Sequence, residues 1–114
     1  MTLKTIILLG ATAIFIACSS PNTDIATNAT KEIKVWGNCE MCKETIEASL
    51  KVPGVIKADW NVDSKILRIS FDSTIINSDQ IAKNIASVGY DNDIYKGNNA
   101  AYSELHECCQ YERK

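Results

Sequence analysis

The chain has 114 residues with 12 basic and 14 acidic side chains, a formal charge of −2. That length holds one compact domain plus tethers and leaves no room for a second. The balance of charge, with no basic stripe and no aromatics interleaved among lysines or arginines, argues against a nucleic-acid partner. Five cysteines, Cys18, Cys39, Cys42, Cys108 and Cys109, are clustered as one lone residue, one C-x-x-C pair and one adjacent pair. A disulfide scaffold would spread them to close long loops, so three separate roles are expected.

Residues 1–17 read as an export signal. Lys4 is followed by an apolar run from Ile6 to Ala17, which as helix would rise about 18 Å, short of a bilayer core of roughly 30 Å. Phe15-Ile16-Ala17-Cys18 resembles the lipobox of bacterial lipoproteins. The resemblance implies that Cys18 becomes the first mature residue, carries lipid, and anchors the protein to the periplasmic face of a bacterial membrane. Residues 18–30, rich in Ser, Thr and Asn, then form a flexible tether with a reach on the order of 20 Å.

The folded domain is expected over residues 31–97. Lys31 to Gly37 alternates, with Ile33 and Val35 on one face, and predicts a strand. From Cys42 the spacing of Ile46, Ser49 and Leu50 predicts a helix that Pro53-Gly54 stops. Val55 to Val62, with Ile56, Ala58, Trp60 and Val62 inward, and Lys65 to Asp72, with Leu67, Ile69 and Phe71 inward, predict a hairpin turning at Asp63-Ser64. Ser78 or Asp79 caps a second helix with the stripe Ile81, Ala82, Ile85, Val88, which Gly89 ends. Tyr90 to Tyr95 is assigned a fourth strand because the topology needs one. The result is an α+β, ferredoxin-like β-α-β-β-α-β sandwich, a four-stranded antiparallel sheet with two helices on one face.

At Gly37-Asn-Cys-Glu-Met-Cys42 the chain resembles the heavy-metal-associated domain family, which includes copper chaperones and the periplasmic mercury-binding protein. The resemblance runs from about Lys31 to Lys96 and takes in Ile46-Glu47, Leu50, Pro53-Gly54-Val55, Val62, Phe71-Asp72 and Gly89-Tyr90. It implies one metal ion held by Cys39 and Cys42, with Tyr90 near the metal loop. Where the family usually has Met after the glycine, this chain has Asn38, and Met41 lies inside the motif.

Two thiolates suit Cu(I), a soft ion that accepts few ligands; Zn(II) and Hg(II) share the donor preference. The N-terminus of the first helix favours thiolate, and Cys42, the residue opening that helix, is expected to gain most. The resulting reading is a binding module, not an enzyme: an extracytoplasmic carrier or scavenger of Cu(I) acting by thiolate exchange with a metal-exchanging protein. The alternatives are a thiol-disulfide oxidoreductase using the same two cysteines, or a mercury-binding protein of the same fold. Trp36 and Trp60 read as packing residues, and Lys43, Glu44, Glu47 and Lys51 as a solvated helix face.

Residues 98–114 form an extension in which Asn99 or Ser103 caps a short helix, placing His106 and Cys109 on one face. Three roles are open for it. Cys108, Cys109 and His106 join Cys39 and Cys42 in a shared metal site; they form a separate site; or the arm packs, its cysteines acting as small apolar groups.

Overall fold

The computed structural model describes residues 28–114 together with Gly10. The expected export signal, apart from Gly10, and Cys18 lie outside the described residues. The chain forms β1 (Asn28–Lys34), α1 (Glu40–Ala48), β2 (Val55–Trp60), β3 (Ile66–Asp72), α2 (Ser78–Ser87), α3 (Asn99–Ser103) and a 3-10 turn, Glu107–Cys109.

The strands make one antiparallel sheet in the order β1-β3-β2. Ile33, Leu67 and Trp60 stand side by side across it and are buried. Glu32, Arg68 and Asp59 make the next row, all exposed, so strand alternation leaves one face apolar and the other charged. Ile46 of α1, Leu50 just past its end, and Ile81 and Ile85 of α2 close over the apolar face in a single core. β1 begins at Asn28, three residues before the expected domain start, because Ala29 pairs with Phe71 and Thr30 with Ser70.

Two expectations are corrected. Among the described residues the sheet has three strands, not four: only Val35 and Asn92 make a bridge. Asn92 Oδ1 accepts from the backbone N–H groups of Ile94 and Tyr95, which curls the segment away just where a strand must stay extended. In β2, Ile56 is exposed instead of inward. A bulge between Val55 and Lys57 inserts it as an extra residue and restores Ala58 and Trp60 to the core side.

The helix starts also sit earlier than expected. Asn77, not Ser78 or Asp79, caps α2, accepting from Gln80 N–H while Gln80 Oε1 accepts from Asn77 N–H. Asn98, not Asn99 or Ser103, caps α3. The 3-10 turn follows, so His106 and Cys109 do not share the face of one helix.

Candidate metal centre

The loop between β1 and α1 is shaped by close packing. A side chain at Gly37 would meet the Trp60 ring at 2.9 Å and Cys42 Cβ at 3.3 Å, so only glycine lets the loop lie against the core. Trp60 is itself pinned by its indole N–H, which donates to Val35 O at 3.0 Å. Beyond the glycine, Asn38 N–H donates to Cys42 Sγ at 3.3 Å.

Cys39 is the N-cap of α1 and Cys42 lies in its first turn. Their sulfurs are 4.0 Å apart, with Cys42 fully buried and Cys39 half-buried. The helix begins at Glu40, two residues before the expected start, so Cys39 is its N-cap and faces its first N–H groups. The backbone N–H of Cys42, with that of Met41, holds the Cys39 thiol below its ordinary value against the opposing effect of burial.

Lys43, read from sequence as solvated surface, instead ties α1 to the sheet. Its Nζ donates to Glu47 at 2.5 Å, Asp59 at 2.6 Å and Trp60 O at 2.9 Å. Glu47 also accepts from Trp60 N–H at 2.9 Å. The Lys43–Glu47 spacing of four was the available sign of part of this.

The C-terminal arm folds back over the loop. Gly89, at φ +99°, has the Tyr102 backbone N 2.7 Å from where a Cβ would stand, so the arm lies directly on its backbone. Fully buried Asp91 organises the rest. Its carboxylate accepts from Gly97 N–H at 2.7 Å, Arg113 at 2.7 Å and Lys114 N–H at 2.9 Å. Burial alone would raise this carboxyl's pKa; the Arg113 guanidinium and the two N–H donors hold it below the usual range. Buried Tyr111 stacks on Tyr90 with ring centroids 5.4 Å apart, donates to Gly89 O at 2.7 Å and accepts from Asp91 N–H at 2.8 Å.

This anchoring brings Cys108 and Cys109 to the loop. The sulfurs of Cys39, Cys108 and Cys109 all lie within 4.8 Å of one another. Cys108 and Cys109 Sγ are 3.9 Å apart, and Cys108 Sγ is 3.3 Å from Met41 Sδ. Asn38 Nδ2 donates to Cys108 O at 2.8 Å. The residue that departs from the family pattern thus adds one tie between the loop and the arm at Cys108. Cys108 is exposed and Cys109 buried; burial pushes the Cys109 thiol up to about 12, and the Cys42 thiol adds to the effect. His106 is exposed and stands outside the sulfur group.

Tyr90 is fully buried, and its hydroxyl has no hydrogen-bond partner among the described residues. Burial, then Cys42 and Cys109, push its pKa up, so it stays protonated beside the sulfurs. The donor set is sulfur without carboxylate, which fits soft ions and not hard ones.

Residues 38–91 match the family model described as heavy-metal-associated domain. The chain is 33% identical over 63 residues to the copper chaperone CopZ of Staphylococcus epidermidis (strain RP62A), covering 54% of this chain and 93% of the relative. Identity is 32% over 63 residues to the copper chaperone CopZ of Staphylococcus haemolyticus (strain JCSC1435), with the same coverage. A solved structure described as CopZ metallochaperone superposes with a TM-score of 0.55 at 27% identity, covering 56% of this chain and 98% of its own. A solution structure of a Bacillus anthracis str. Ames protein gives a TM-score of 0.55 at 25% identity, over 58% of this chain and 96% of its own. With the sandwich, the C-x-x-C loop and these relatives in agreement, the chain belongs to the heavy-metal-associated domain family.

Proposed function

We propose that this protein is a lipid-anchored, extracytoplasmic carrier of Cu(I), gripping the ion with Cys39 and Cys42 and passing it on by thiolate exchange. The observation that carries this is the pair of sulfurs 4.0 Å apart at the start of α1, one of them shifted toward thiolate by the helix's first N–H groups. The names of the copper chaperone relatives support the choice of metal, and the lipobox-like Phe15–Cys18 supports the location.

The chemistry follows from the two environments. Buried Cys42 stays in place while half-buried Cys39 is the side open to an incoming thiolate. A partner's sulfur adds there, the ion becomes three-coordinate, and one sulfur of this chain leaves, so no free ion is released. Protonated Tyr90 keeps a neutral hydroxyl beside the sulfurs and adds no negative charge there.

Competition against a Cu(I)-specific chelator, under reducing conditions, tests the reading. Cys39→Ser/Cys42→Ser is expected to lose at least a thousand-fold in affinity, on the order of 4 kcal/mol, while its circular dichroism stays that of a folded domain. Unchanged Cu(I) uptake would overturn it. Running Zn(II) and Hg(II) in the same assay separates the metals. Lipid labelling of the full chain against Cys18→Ser, with fractionation, tests the anchor.

A further inference from the structure

Cys108 and Cys109 lie beyond the residues that match the family model, which end at 91, yet their sulfurs stand against the loop's own. Packing accounts for Cys109 alone. Its neighbour is exposed, and a small apolar residue gains nothing by pointing into water toward two other sulfurs. Position is not left to chance either. The arm is fastened at one end by Asp91 with Arg113 and Lys114, in the middle by Tyr111 between Gly89 and Asp91, and at the cysteines themselves by Asn38. The sulfurs are therefore held before any ion arrives, which reduces the cost of assembling a site.

Their arrangement also selects what they hold. A single tetrahedral Zn(II), with Zn–S near 2.3 Å, needs four sulfurs mutually about 3.8 Å apart. Here Cys39, Cys108 and Cys109 form one mutual group, and Cys42 stands outside it, 4.0 Å from Cys39 and neighbouring Cys109 as well. The pattern is two donor sets that share one sulfur, a pair and a triangle. Low-coordinate soft ions with a bridging thiolate match it better than one four-coordinate ion, which needs all four sulfurs mutually close.

The geometry points to a closed site for two Cu(I) ions: one held by Cys39 and Cys42, the second by Cys108 and Cys109, with Cys39 bridging and the Met41 thioether beside Cys108. This rests on the Cu(I) reading of the loop and extends it. Two Cu(I) ions displace the protons of four thiols and leave a cluster of net charge −2.

The test uses the full reduced chain titrated with Cu(I) alone and read by native mass spectrometry. Alkylation and peptide mapping of the loaded protein then report each cysteine separately. The wild type is expected to hold two ions and to shield Cys39, Cys42, Cys108 and Cys109 together. Cys108→Ser/Cys109→Ser is expected to hold one. Because Cys109 is buried, Cys108→Ser alone is the companion variant: it changes only an exposed group and should give up the second ion at a lower chelator concentration than the wild type. A wild type that holds one ion while Cys108 and Cys109 alkylate as fast as in the metal-free chain overturns the two-ion site and leaves the loop's Cu(I) function standing. One ion with all four thiols shielded likewise overturns the bridged arrangement. No Cu(I) uptake at all overturns both readings.

Discussion

The loop Gly37–Cys42 and the arm from Gly97 to Lys114 meet at the same sulfurs but are held there by different forces. The loop is fixed by shape: Gly37 against the Trp60 ring, Cys42 sunk in the core, and α1 beginning at the residue after Cys39. The arm depends on polar contacts gathered at one buried carboxylate and one buried phenol, with the stacked rings of Tyr90 and Tyr111 beneath. A site built this way has a rigid half and a half that can be released. Conditions that disturb charge should free the arm and leave the loop as it was.

The largest separation of the two is expected from Arg113→Ala. Removing the partner of a buried charge leaves Asp91 uncompensated and should cost about 3 kcal/mol in the arm's anchoring. Hydrogen exchange would show it as loss of protection from Tyr102 to Tyr111, with α1 and the sheet unaffected. Tyr111→Phe keeps the ring stack but strips the hydroxyl that joins Gly89 to Asp91, an effect of about 1–3 kcal/mol readable by urea titration. If α1 loosened as much as the arm in either variant, the two halves would be one cooperative unit and the comparison would fail.

Acid sharpens it further. The Asp91 carboxyl sits lower in the folded chain than its unfolded value of about 3.9. Its contribution is therefore fully present above that value and is lost as pH falls through the folded pKa. Arm protection should be flat from pH 5 to 8 and decline only below about pH 4, and Asp91→Asn should remove that decline. The smallest effect belongs to Asn38→Ala, which deletes one exposed hydrogen bond to Cys108 O. It should cost about 1 kcal/mol and be visible mainly as faster alkylation of Cys108.

Local patterns in the sequence carry much of this fold. Alternation in Leu67, Ile69 and Phe71, helical spacing through Ile81 and Ile85, and the stop at Gly89 set out β3 and α2 correctly because each reflects contacts a few residues apart. The C-x-x-C pair announced itself in the same way. Ile56 was misread because a bulge changes the parity of a strand without changing its composition. The final strand was misread because Asn92 prefers to bond its own backbone. Asp91 and Tyr111 were missed as anchors for a different reason: they are twenty residues apart and no periodicity links a buried carboxylate to an arginine in the tail. That the arm comes back to the loop was one of three open readings, and nothing in the spacing of Cys108 and Cys109 could choose among them.

The placement of the two tryptophans has a practical consequence. Trp60 lies beneath the loop with its ring against Gly37, whereas half-buried Trp36 has the ammonium groups of Lys34 and Lys114 over its ring at 4.8 and 5.6 Å. One indole is thus placed where metal at the sulfurs should change its emission, and the other where seating of the tail should. With Trp36→Phe to isolate the first, the protein carries its own optical readout for watching capture and release in real time without an attached dye.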